Sequence, residues 1–168
     1  MASGDAVVQV LDITPPAATF ATLDTRAGGS TPAEAVQVWD FDASTIEYLD
    51  FKCRLHGYDG GGLTFRIFWS ASSATADEAR WGLAVRRVAD DAEDIDGSHT
   101  YDYNEVDATA PSASGEVDYV TITFTDGADM DSWADGEIAI VRLQRNATHA
   151  NDDMTGDAEL WSITGEET

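Results

Sequence analysis

Apolar and polar residues alternate with a period of two along most of this chain, the spacing of strands that bury one face and wet the other. Val8 and Val10, then Phe20 and Leu23, mark two short strands separated by Pro15-Pro16, whose fixed φ forces an extended or turning segment. Residues 36–41 alternate, and residues 46–55 form a longer strand with Leu49, Phe51, Cys53 and Leu55 on its inward side. Gly60-Gly61-Gly62 supplies turn chemistry, and a strand with Leu63, Phe65, Ile67 and Trp69 on one face follows at once. After the small polar run 70–76, a strand beginning near Arg80 places Trp81, Leu83 and Val85 on one side. Further strands are expected at 117–125, 137–144 and 158–164.

No stretch of ten residues carries a helical stripe, although 75–81 and 128–133 could each hold one turn. Outward polar residues argue against parallel sheets, whose strands are buried on both faces. The expected class is all-β: an antiparallel β-sandwich of jelly-roll type with about eight to ten strands and little or no helix. With 168 residues, 43% of them hydrophobic, one domain with a real core is expected. Residues 1–35 read as N-terminal strands or an arm reaching a neighbour, and residues 36–168 as the sandwich itself.

Charge narrows the function. The chain holds 32 Asp and Glu against 9 Lys and Arg, a formal net charge of -23. Such a field repels phosphate backbones and anionic lipid heads, so neither nucleic acid nor a membrane surface is an expected partner. Between Arg87 and Arg142 stand fifteen carboxylates and no Lys or Arg, which predicts one strongly negative face or end. The single cysteine, Cys53, rules out an internal disulfide and reads as a buried core thiol. The opening residues lack the basic and apolar regions of a signal peptide, so synthesis and assembly in the cytosol are expected.

Catalytic patterns are missing. Gly60-Gly61-Gly62 lacks the Gly-Lys-Ser/Thr ending of a phosphate loop, and neither a Gly-x-Ser-x-Gly elbow nor a His-Glu-x-x-His helix occurs. Ala92 to Gly97 approaches the spacing of a calcium loop, yet Ala92 and Tyr103 stand where its first and last carboxylates belong. Asp152, Asp153 and Asp157 form a looser calcium candidate, the one cofactor the residues suggest, although chance supplies such groups in a chain rich in Asp. Trp133, between acidic neighbours, and Tyr101 with Tyr103 are candidates for a ligand or subunit contact; for Trp133 the alternative is a cap on the end of the sandwich. Trp39, Trp69 and Trp81 fall on alternating strands and read as core. No enzyme activity is expected.

Several stretches resemble a family of small tailed-phage virion proteins with a jelly-roll fold like that of carbohydrate-binding modules. They are Trp39-Asp40-Phe41-Asp42, Tyr58-Asp59, Leu63 through Ala71, Trp81-Gly82-Leu83, and Asp152 through Leu160. The resemblance spans roughly residues 36 to 164. It implies a capsid decoration or cement protein on the virion surface, often a homotrimer, bound to the major capsid protein and assembled in the host cytoplasm, with no catalytic residues. The alternative within this reading is a receptor- or glycan-binding module of a head fibre, spike or tail fibre. The acidity exceeds what the resemblance requires and fits a saline setting.

Overall fold

The computed structural model describes residues 3–73 and 76–168. It contains ten strands: β1 (Val8–Thr14), β2 (Thr22–Ala27), β3 (Ala35–Phe41), β4 (Glu47–Leu55), β5 (Leu63–Ala71), β6 (Glu78–Val88), β7 (Asn104–Thr109), β8 (Asp118–Phe124), β9 (Ile138–Arg145) and β10 (Ala158–Glu167). Among the described residues the only helical element is a 3-10 turn at Ala128–Met130. Of the two helical turns that the sequence allowed, this is one. For the other, Thr75 lies outside the described residues and the chain is in β6 from Glu78.

Two five-stranded antiparallel sheets face each other. The first runs β1-β4-β9-β6-β7 and the second β2-β3-β10-β5-β8. The pairings are nested: β3 with β10, β4 with β9, β5 with β8, and β6 with β7. One long antiparallel hairpin, folded so that its segments alternate between sheets, produces this order; it is the winding of a jelly roll. Contacts of β10 with β5 and of β9 with β6 close the roll. The remaining strands, β1 and β2, add to the edges at β4 and β3.

Alternation decides which side chains meet in the middle. Leu49, Phe51, Cys53 and Leu55 from β4 face Leu63, Phe65, Ile67 and Trp69 from β5, all at most 1% exposed. Trp81 sits at the centre, edge-on to Phe41 at 5.1 Å and to Trp69 at 5.8 Å between ring centroids. This aromatic geometry adds about 0.5–1.5 kcal/mol per pair beyond area burial. Burial pushes the Cys53 thiol up to about 12, so it stays protonated and inert. At the β4–β5 turn Gly62 has φ of 88°, and a Cβ there would lie 2.6 Å from the Phe124 carbonyl oxygen, so no other residue fits.

The strand missed by sequence is β7. Its alternation survives, but only Val106 and Ala108 are apolar, while the outward Glu105 and Asp107 are held by Arg80.

Candidate functional site

The three aspartates of the calcium candidate are drawn to separate protein partners. Asp152 accepts two hydrogen bonds from Arg145, from Nε at 3.0 Å and Nη2 at 2.8 Å, and another from the Arg80 amide at 2.9 Å. Asp153 accepts the Glu78 amide at 2.7 Å, and Asp157 the Ala43 amide at 3.1 Å. Among the described residues no group of three or more candidate ligands is assembled that could hold a metal ion.

Arg145 explains that loop. It continues the inward side of β9 after Ala139, Val141 and Leu143, so its guanidinium enters the sandwich and is fully buried. All five of its N–H groups are satisfied: two by Asp152 and three by the carbonyls of Phe41, Met154 and Gly156.

Trp133 is a cap. Its ring is 1% exposed, and its indole N–H donates to the Glu137 carbonyl at 2.9 Å. The preceding Asp131 and Ser132 take positive φ of 54° and 55°, turning the chain so that the indole folds under the end of the sandwich.

Tyr101 and Tyr103 are half-buried in an intramolecular stack on the outer face of the first sheet. The Arg142 guanidinium lies 4.1 Å from the Tyr101 ring centre and 5.7 Å from that of Tyr48, while its Nε and Nη2 donate to Asp50 at 2.6 and 2.7 Å. Burial raises both tyrosine hydroxyl pKa values, that of Tyr103 strongly. Arg86, 7% exposed, donates to the carbonyls of Asp94 and Gly97. These arginines strap residues 89–103 across the sheet, and the tyrosines are the strap's pins.

On the outer face of the second sheet, Glu159 receives both arms of Arg26 at 2.7 and 2.9 Å and the Ser70 hydroxyl at 2.6 Å. Its cross-strand neighbour Asp40 is less well served: Oδ1 is buried without a hydrogen-bond partner. Burial, then the charges of Asp157, Glu159 and Asp24, push the Asp40 carboxyl up to about 6 against the pull of Arg26. A hollow of 260 Å³ beside Arg26, Gly115 and Trp161 has neither carboxylate in its wall.

Asp40 has a pH consequence. Its folded pKa lies above the ordinary 3.8, so between about pH 4 and 6 the folded protein binds the extra proton, and this destabilisation grows as pH rises through that window. Asp40→Asn should therefore gain about 1–2 kcal/mol over the parent at pH 7, allowing for solvent screening of a half-buried group, and the gain should vanish near pH 4. Urea unfolding of both proteins across that range checks it; a constant difference would exclude the titration.

Farther along the same face, Tyr119 is 54% exposed and lies 5.7 Å from Phe68, with the Arg66 guanidinium 5.9 Å from its ring centre.

The feature that sequence missed is a flank. β1 and β2 are the edge strands of the two sheets on the same side, and between them opens a groove of 410 Å³. Val10, Ile13, Leu23 and Trp39 form its walls, with Phe51 and Ile163 at the bottom. Val10, Leu11, Ile13, Phe20 and Leu23 are 37 to 53% exposed, the densest run of exposed large apolar side chains among the described residues. The opposite flank is bridged by polar groups, with Asn104 donating to the Thr123 carbonyl at 2.8 Å. Seven arginines are tied into ion pairs, so the surface charge is carried by unneutralised carboxylates.

No family model matches the sequence, and no curated protein matches it. Two solved structures are distantly similar to it. TmCBM61, a carbohydrate-binding module solved in complex with β-1,4-galactotriose, is 12% identical with a TM-score of 0.41, the match covering 94% of this chain and 88% of that one. The isomalto-dextranase of Arthrobacter globiformis T6, solved with panose, is 11% identical with a TM-score of 0.42; the match covers 98% of this chain but only 33% of that enzyme. A likeness this distant carries neither ligand nor activity across.

Proposed function

We propose that this protein is a non-catalytic structural sandwich that decorates and cements the shell of a tailed virus, sitting on the major capsid protein at the virion surface. The observation that supports this reading is the division of its surface. Residues 6–33, which build the apolar flank, contain only Asp12, Asp24 and Arg26 as charged groups, one net negative charge out of the -23 of the chain. The rest of the molecule therefore carries -22. Such a body can adhere by its apolar side and repels other acidic bodies elsewhere. In a particle the flank faces into the assembly, while the acidic remainder meets solvent and keeps particles apart. A rigid jelly roll adds buried contact that is present only in the assembled state and so opposes bursting.

The test is made on particles from the source that encodes this chain. The protein should occur in fixed ratio to the major capsid protein, and particles lacking it should release DNA at lower heat or osmotic stress. Particles of unchanged strength would sink the cementing role.

The second reading is glycan binding through the outer face of the second sheet, favoured by the exposed Tyr119 beside Phe68 and Arg66. Binding on a glycan array that disappears in Tyr119→Ala would establish it in place of cementing.

A further inference from the structure

We propose that the hollow beside Trp161, on the outer face of the second sheet, is a docking site for an arginine side chain presented by a protein partner. Three segments meet there: the turn from β2 to β3, the loop before β8, and β10. Its 260 Å³ falls below the roughly 300–1,000 Å³ of clefts that hold a drug-sized ligand, so it admits a single side chain.

The groups around the hollow select a cation. Arg26 lies in its wall, but that guanidinium is already committed. Its Nε and Nη2 bind Glu159, and Nη2 also reaches the Ala71 carbonyl and the Ser114 hydroxyl. Gly115 packs against the remaining arm, since a Cβ there would lie 2.6 Å from Nη1. Arg26 is thus a covered wall and not an anion site. Glu34, the other charged group of the lining, is exposed, and among the described residues its carboxylate has no hydrogen-bond or ion-pair partner. The surrounding field has the same sign: Asp40 feels the negative charges of Asp157, Glu159 and Asp24, with Arg26 opposing them, and its Oδ1 is buried without a donor. A cation entering here relieves that repulsion, whereas an anion adds to it.

Two internal arginines show why the cation is a guanidinium. Arg142 lies 4.1 Å from the Tyr101 ring centre while donating to Asp50, and Arg66 lies 5.9 Å from that of Tyr119 while paired with Glu166. In each case a ring and a carboxylate share one planar guanidinium, an arrangement that the compact ammonium of lysine does not reproduce. The hollow offers the same two parts, Trp161 and Glu34, while its own arginine is bound to Glu159. The third part has to come from outside the chain. Trp161 is held ready for it, its indole N–H donating to the Ser70 hydroxyl at 2.8 Å. This site is separate from the flank, whose groove opens between the sheets; Trp161 borders both.

Titration of the isotopically labelled protein, followed by NMR, tests the proposal. The probe is a capped peptide of neutral residues with one central arginine, and the control is the same peptide with glutamine in that place. The indole N–H signal of Trp161, assigned by its loss in Trp161→Phe, should move with the arginine peptide only. Glu34→Lys, at an exposed position that the fold does not depend on, should weaken binding at least about fivefold, because it turns attraction into repulsion at the mouth. Asp96→Lys makes the same change of net charge on the strap across the first sheet, and should alter binding by less than about twofold. An unmoved Trp161 signal overturns the site, as does an equal response to the glutamine peptide. Equal weakening by Glu34→Lys and Asp96→Lys overturns it too, since the peptide would then be reading the whole acidic body. All three outcomes concern the isolated protein, and the particle experiment decides the cementing role separately.

Discussion

Asp152→Ala lowers the stability of this protein by about 3–5 kcal/mol, the cost of leaving a buried guanidinium without its counter-charge. The Arg145 and Asp152 side chains are both 0% exposed, so water cannot stand in for the lost carboxylate. Three further losses accompany it. The Arg80 amide loses its acceptor, the 146–157 connection loses its anchor, and Arg145 keeps only the carbonyls of Phe41, Met154 and Gly156. Many buried ion pairs can be exchanged for two apolar residues at little cost. Here the double replacement Arg145→Met with Asp152→Leu should remain at least about 3 kcal/mol below the parent, because those three carbonyls lose the guanidinium N–H groups that reach them. Equilibrium urea unfolding of the single and double variants measures both. A double variant as stable as the parent would mean that the arginine serves charge alone and not the carbonyls around it.

Trp81→Ala should cost a similar amount, about 3–5 kcal/mol, through the cavity it leaves among Phe41, Trp69 and the strands that carry them. Trp81→Phe should cost much less, about 1–2 kcal/mol. The Trp81 indole N–H is buried without a hydrogen-bond partner, and phenylalanine removes that unmet donor together with the bulk. The pair of variants separates volume from polarity. If Trp81→Phe were as damaging as Trp81→Ala, the indole N–H would have to be satisfied in solution by a buried water. Thermal or urea unfolding followed by circular dichroism is the measurement, since four other tryptophans complicate fluorescence.

What the sequence disclosed, and what it hid, follows from what alternation encodes. A period of two states which side of a strand is apolar, and that placed Leu49 to Leu55, Leu63 to Trp69 and Trp81 to Val85 in the core where the structure has them. It does not state whether anything lies over that side. Val8 and Val10 alternate as core residues do, and the bulge at Leu11 returns Ile13 to their side, yet Val10, Ile13 and Leu23 end on sheet edges with no strand above them, and only the topology reveals the flank. Arg145 left a readable trace, a charge on the inward side of β9 shortly before an Asp-rich run; taking the run for cation ligands missed that the cation was already in the chain. For Trp133 the sequence offered both a contact and a cap; its acidic neighbours describe the surface around it and not the direction of its ring, and the structure has the cap. The resemblance in Asp152 through Leu160 rests on residues that the fold uses to seat Arg145 and start β10, so it speaks for architecture before function.

The nested pairing of strands constrains how the chain can be made. β3, the first strand of the roll, finds its inner neighbour only in β10, and β5 needs the same strand on its other side. No length of chain ending before Ala158 can close the second sheet, so during translation the emerging protein must wait, open and with its aromatic interior wet, until the final strand leaves the ribosome. Its many carboxylates then have a task before the molecule is finished: they keep neighbouring nascent chains from aggregating through that interior.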